Sequence, residues 1–489
     1  EVFHRDWIGD FSDARNFALE KATGDWVLVL DADEEVGINA QESLKTEISN
    51  NNAIAYRLPL EDKGLEKEGN SYVPRLFRNA PGLFYVGRVH EQIFSSIEVR
   101  RQMWGLENLI GKTQLLHKGY QSEVVKERNK IERNLALLVE ALKELPGEPN
   151  LLMNLGLELV RSGKLRQGID YYYEAVDNLS DLPKAHVVPE LWESMLSQLA
   201  THLIHAKRFS EVVQLLRSPI SQLFPLSASM NFSMGLGALQ NKDFETAREA
   251  FARCLSLREK KTLIPLNKEI LTIAPYHCLG MALSGLGKVE AAIETLENGL
   301  LSHPGSHRTV QVDLAKIYYR KHNPVKALEI LHSLTLDLPT DPEIWVLGGE
   351  VALSQPSFLE FALDWTSEAV KYCPANAQIQ EQRGMALLFN QQCEGALECF
   401  LGLAKPASHN LAAIIMCQLV TGIELMPISL LEETSISSEF IKLYKQLLAF
   451  NSSNVLRVAM EETDRLASRL PSASRIVERI AKEVCDSPA

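Results

Sequence analysis

From about residue 150 the chain repeats itself, and this recurrence constrains the fold more than any single motif. A Leu-Gly pair or its equivalent is followed about twelve positions later by a small or apolar residue. The copies are Leu155-Gly156 with Gly168, Leu199-Ala200 with Val212, Met234-Gly235 with Ala247 and Leu279-Gly280 with Ala292. Leu314-Ala315 with Ala327, Leu347-Gly348 with Ala362 and Arg383-Gly384 with Ala396 continue the series. From Gly280 the steps to Ala315, Gly348 and Gly384 are 35, 33 and 36 residues. A period of about 34 belongs to a stacked helical hairpin. The small residues let the two helices of a unit approach closely, and Pro304, Pro339 and Pro374 end units. Longer gaps predict insertions near 177–190 and 258–272. Such units bury their apolar faces only by stacking, which predicts a curved solenoid with a concave groove suited to peptides or proteins. Residues 408–489 keep a helical pattern without the signature and are expected to be a degenerate repeat and cap.

The first 145 residues read differently. Residues 26–30, Trp-Val-Leu-Val-Leu, form an apolar run expected to be the central, buried strand of a parallel sheet. The run stops at Asp31 and Asp33, followed by Glu34 and Glu35. Four carboxylates in five residues repel one another unless a positive charge sits among them. At the end of a strand, an Asp-x-Asp can hold a hard cation and leave positions open for phosphates. On the residues alone, a solvated acidic turn is the commoner explanation. Around this run we expect a helix over 11–22 with Ser12 as N-cap and Gly24 beyond its end. A helix over 39–49 and strands at 54–60, 71–78, 83–86 and 113–116 follow, with Pro74 suggesting an edge strand. An amphipathic helix over about 122–144 closes the segment.

A formal charge of -13 without a long basic block argues against a general nucleic-acid binder. The seven cysteines fall inside helical patterns and form no CxxC pair, as expected for buried thiols in a reducing compartment. The most apolar stretch, 411–431, is interrupted by Glu424 and Pro427 and reads as buried repeat helix, so no integral membrane segment is expected. Together these features predict a cytoplasmic protein, at most peripheral to a membrane. No GxxxxGK[ST], GxSxG or HExxH motif is present.

Five motifs, in order, carry a family resemblance. They are Trp7-x-x-Asp10-Phe11-Ser12-x-Ala14-Arg15-Asn16 with Gly24-Asp25-Trp26, then Asp31-Ala32-Asp33-Glu34, then Pro74-Arg75-Leu76-Phe77-Arg78-Asn79. Gly87-x-Val89-His90-Glu91 and His117-x-Gly119-Tyr120 follow. The set resembles the family 2 glycosyltransferases of GT-A fold, in particular a bacterial subgroup whose catalytic domain precedes a tetratricopeptide array. The implied organisation is an α/β, partial GT-A (Rossmann-like) domain over 1–145, an all-α tetratricopeptide array over 146–407 and a helical cap over 408–489. Family members carry a nucleotide-binding half upstream of the segment equivalent to Glu1. The resemblance therefore implies a chain truncated by several tens of residues and unable to turn over by itself.

The resemblance also assigns roles. Asp33 is the expected direct ligand of Mn²⁺ or Mg²⁺. Asp31 is expected to reach the metal through water or touch the donor ribose, with His117 a third ligand; its nitrogen favours Mn²⁺. Glu91 is the expected general base of an inverting transfer from a nucleotide-sugar donor, and His90 orients it or binds the donor. On the residues themselves, Arg15 is expected either to reach the pyrophosphate or only to brace helix against strand, and Arg75, Arg78 and Arg88 either to pair with phosphates or an anionic acceptor or to be ordinary strand-face charges. The acceptor, whether sugar, lipid-linked glycan or protein, is not specified. The contrasting expectation is a non-catalytic scaffold, in which the repeats bind a protein partner.

Overall fold

The computed structural model describes residues 2–38, 40–62, 71–117, 124–260, 268–403 and residues 413, 414 and 417. Two compact units divide the chain, Glu1–His303 and Pro304–Ala489. The expected cap at 408–489 lies outside the described residues except for residues 413, 414 and 417.

The first unit opens with helix α1 (Phe11–Lys21). Strands β1 (Trp26–Leu28) and β2 (Glu34–Val36) precede helix α2 (Ala40–Ile48). Strands β3 (Ala53–Asp62) and β4 (Ser71–Arg78), helix α3 (Phe94–Trp104), and strands β5 (Glu107–Ile110) and β6 (Leu115–His117) follow. The sheet runs β1-β4-β3-β6-β2, with β5 also on β3. Strand β3 pairs antiparallel with β4, and parallel with β5 and β6 on its other side. It is the central strand. Ala53, Ile54, Ala55, Tyr56 and Leu58 are all buried because both faces are covered. Ile54 packs with Phe77, Tyr85, Ile93 and Ile97 on one face, and Leu58 with Leu76 and Leu115 on the other.

Several expectations change. The apolar run at 26–30 is neither central nor parallel: β1 is three residues long, half-buried, and pairs antiparallel with β4 at the end of the sheet. Strand β4 is internal despite Pro74, which sits opposite Arg57 where the register shifts. A bulge tolerates the missing amide hydrogen. Residues 83–86 form no strand and contribute only the isolated bridge Val86–Gln92. The cap of α1 is Asp10, whose carboxylate accepts from the amides of Ser12 and Asp13. The helix ends with Ala22 extended, so Gly24 is not its left-handed stop. Helix α3 and strands β2 and β5 were not anticipated. Glu47 of α2 explains how the turn at 111–113 is held: it accepts from the amides of Lys112 and Thr113 and from the Thr113 hydroxyl.

Helix α4 (Val124–Glu144) leads into the array. The first unit continues with α5 (Pro149–Arg161), α6 (Leu165–Ser180), α7 (Pro189–His205) and α8 (Phe209–Arg217). It ends with α9 (Ala228–Gln240), α10 (Phe244–Leu257), α11 (Ala274–Gly285) and α12 (Val289–Ser302). The second unit holds α13 (Arg308–Arg320), α14 (Pro324–Asp337), α15 (Pro342–Leu353), α16 (Leu359–Tyr372), α17 (Ala377–Phe389) and α18 (Cys393–Leu401). Each of the seven sequence copies maps onto one helix pair. The small residues act as expected: a Cβ on Gly156 would meet the Tyr172 ring at 2.8 Å, and one on Gly348 would meet Trp365 at 2.0 Å.

Candidate active site

The Asp31–Glu34 turn is closed by its own groups. The Glu34 amide donates to the Asp31 carbonyl, and the Asp31 amide donates to Glu34 Oε2, both at 3.0 Å. Arg75 of β4 then binds the turn from the neighbouring strand. Its Nη2 donates to Asp31 Oδ2 at 2.5 Å and to Glu34 Oε1 at 2.6 Å. The Glu34 side chain is only 3% exposed, so its role is to shape the turn.

Arg15 of α1 joins two of the predicted residues. Its Nη2 donates to Asp31 Oδ1 at 2.9 Å and its Nε to Glu91 Oε1 at 2.5 Å. Asn16 fixes that helix by exchanging two hydrogen bonds with the Tyr85 backbone. The Arg15 guanidinium lies over the Tyr85 ring. Burial works to raise the Asp31 carboxyl, but the Arg15 hydrogen bond and the Arg75 charge outweigh it and hold it below the usual carboxylate range. Arg15, Asp31, Arg57, Arg75, His90 and Glu91 border an open cleft of about 410 Å³.

Asp33 and His117 meet because β2 pairs with β6 and sets Glu34 opposite His117. Asp33 Oδ2 lies 3.2 Å from His117 Nε2. An oxygen and a nitrogen so placed fit as two ligands of a divalent cation. Asp31 does not join them here, because both its oxygens are taken by guanidinium groups. Among the described residues no group of three or more His, Cys, Asp or Glu side chains is arranged to hold a metal. Gly119 and Tyr120 lie outside the described residues.

The remaining cations separate. Arg75 faces the cleft, whereas Arg78 donates to the carbonyls of Asn50, Asn51 and Ala53 and stacks over Trp26. Arg88 pairs with Glu144 on α4. His90 borders the cleft, yet its Nε2 lies 2.8 Å from Glu158 Oε1. Sequence reasoning missed Arg57, a buried β3 residue paired with Glu190 of α7 at 3.2 Å, and it missed Glu158. A charged residue inside the strand 54–60 was the available signal for Arg57. Glu158, within an otherwise apolar helix, was the other.

The sequence model of glycosyl transferase family 2 matches residues 1–118, and a tetratricopeptide repeat model matches 283–348. The chain therefore joins family 2 glycosyltransferase sequence, folded as a mixed α/β sheet domain, to an all-α tetratricopeptide array. A TPR repeat-containing protein of Synechococcus elongatus is 33% identical over 169 residues, covering 34% of this chain and 42% of that protein. The SPbeta prophage-derived glycosyltransferase SunS of Bacillus subtilis is 28% identical over 188 residues, covering 36% of this chain and 42% of that protein. The chain thus spans 42% of the length of both curated relatives. Among solved structures, the C-terminal part of a TPR repeat-containing protein from Cytophaga hutchinsonii is 12% identical with a TM-score of 0.40, covering 54% of this chain and 98% of that one.

Proposed function

We propose that the protein is a metal-dependent glycosyltransferase that moves a sugar from a nucleotide-sugar donor to an acceptor hydroxyl, with Glu91 as general base. The observation that carries this reading is the convergence of Glu91 and Asp31 on one arginine, two residues from the Asp33–His117 pair, inside family 2 sequence. Asp33 and His117 would hold Mn²⁺ or Mg²⁺, a Lewis acid for the charge that builds on the leaving diphosphate. Arg15 and Arg75 supply fixed positive charge on the same side of the cleft. Glu91 accepts the proton of the attacking hydroxyl. Arg15 occupies Glu91 Oε1, so it must first give up that oxygen for the acceptor hydroxyl to reach it, and a donor phosphate is a suitable replacement partner. Asp31, Arg15 and His90 border the donor. The inverting course comes with the family resemblance.

The proposal extends to organisation: a catalytic part over 1–145, repeats over 146–407 that hold a protein partner, and a cap over 408–489. It extends also to a cytoplasmic location, at most peripheral to a membrane. No helix among the described residues is long and apolar enough to cross one. In the native protein, Asp33→Ala is expected to lower Mn²⁺-stimulated transfer by about 100-fold or more. Transfer at the wild-type rate would sink the metal assignment.

A non-catalytic scaffold is favoured by one observation. Arg15 and Arg75 already pair with Asp31, Glu34 and Glu91, so two guanidinium groups offset most of that cluster's charge without a metal ion. That reading expects no nucleoside diphosphate binding at all.

A further inference from the structure

The segment that carries Glu91 is seated on helices outside the sheet. Arg88 pairs with Glu144 of α4. Val89 is buried among Leu138, Ala141, Leu151 and Leu155 of α4 and α5. His90 places Nε2 beside Glu158 Oε1, and Gln92 Nε2 reaches Asn150 Oδ1, both partners on α5, at 2.8 and 3.4 Å. Between these anchors Glu91 turns the other way, to Arg15 in the cleft. The reversal is made at His90, whose φ of 53° lies in the left-handed region. That conformation is strained for a non-glycine residue and persists only where the surroundings enforce it.

Glu158 is the hydrogen-bond partner of the His90 ring. It is fully buried, which is unusual for a carboxylate inside a helical hairpin. Its Oε1 also accepts from Asn134 Nδ2 at 3.1 Å and from Arg161 Nη1 at 3.2 Å, while Oε2 has no hydrogen-bond partner. Desolvating a carboxylate is expensive, and an apolar side chain of similar volume often packs as well or better. The buried charge is therefore poorly explained by stability, and what it grips is the residue next to Glu91.

We propose that Glu158, on the first helix of the repeat array, is a positioning residue for the transfer reaction. It holds His90 in its left-handed turn and so aims Glu91 into the cleft. The proposal rests on the reading of Glu91 as the base. It makes the first repeat a working part of the active site rather than an appendage to it.

Glu158→Leu tests this, because leucine fills the space and removes the buried charge. Hydrogen exchange is read by mass spectrometry on the whole chain. Amides of residues 86–92 are expected to exchange roughly tenfold faster or more, while peptides from α7 to α12 stay as in wild type. Glu158→Gln keeps an acceptor oxygen for His90 and Asn134 and is expected to restore most of the protection. Unchanged exchange over 86–92 in Glu158→Leu overturns the proposal. Should that variant fail to fold, His90→Ala removes the other partner and carries the same comparison. In the native protein, Glu158→Leu is expected to lower kcat roughly 10- to 100-fold with KM nearly unchanged, and Glu158→Gln to fall between. Faster exchange with wild-type kcat overturns the positioning role. Wild-type kcat in Glu91→Gln overturns instead the assignment of the base, so the two failures are distinguishable.

Discussion

Arg75 shows how much one side chain can decide. It ties Glu34 and Asp31 to β4, and Glu34 is almost wholly buried. Removing one partner of a buried pair leaves an uncompensated charge, at a cost of roughly 3–5 kcal/mol. Arg75→Met is therefore expected to destabilise the unit Glu1–His303 by about 3 kcal/mol, read from the urea midpoint of its unfolding. An unchanged midpoint would mean that the Asp31 amide alone satisfies Glu34. The acidic side of this site was legible in sequence, because Asp31, Asp33 and Glu91 stand in short motifs. The cations were not. Arg75, Arg78 and Arg88 look alike as letters, but strand register sends the first to the cleft and the second to carbonyls near β3. Arg88 turns to α4, a helix distant in sequence. Nor could sequence show that the Asp31 and Glu91 charges are already answered by Arg15.

Among the elements, the helices were far more legible than the strands. The repeat spacing located every described helix pair, since close helix approach demands a small residue at a fixed place. Gly348→Ala, with Trp365 in its way, is expected to cost about 1–3 kcal/mol or more in the unit Pro304–Ala489. Gly395→Ala in α18 meets only ordinary contacts from Leu387 and is expected to be neutral or stabilising by up to about 1 kcal/mol. Equal effects in thermal unfolding would contradict the packing account. Helix α7 carries a second signature. His202 is buried against the Tyr172 ring, neither of its ring nitrogens has a hydrogen-bond partner, and burial, with the nearby His205 charge, lowers its pKa to about 4. Between its ordinary pKa of about 6.5 and that value, the unfolded chain takes up a proton that the folded helix refuses. Stability is then highest above about pH 6.5 and falls as pH drops, by roughly 2 kcal/mol at pH 5. His202→Leu is expected to flatten this slope in denaturation measured at pH 7.5 and pH 5, and an unaltered slope would exclude His202 as its source. The strands misled for a physical reason. An apolar run does not reveal its neighbours, so residues 26–30 read as a central strand although β3 holds that place. Pro74 read as an edge although a bulge accommodates it.

At the scale of the whole molecule, the combination of an α/β sheet domain and a helical array was legible because the two parts carry different periodicities. Their division was less so. The compact units part between His303 and Pro304, within the run of repeats, and α4 and α5 pack on the segment that holds His90 and Glu91. A change from strand motifs to helical repeats marks where one pattern gives way to another. It does not mark where buried side chains stop crossing. Among the described residues there is no disulfide, and Cys254, Cys393 and Cys417 are buried thiols, as their helical surroundings suggested. The proposed function rests on Asp33 and His117 acting with Arg15 and Arg75 as a metal-assisted diphosphate site. Calorimetric titration of the native protein with a panel of nucleoside diphosphates, with Mn²⁺ and with chelator, is the decisive measurement. Binding is expected to require the metal and to be lost in Asp33→Ala. Absence of binding to every nucleotide, or binding indifferent to both metal and Asp33, would contradict it and leave the scaffold reading in its place.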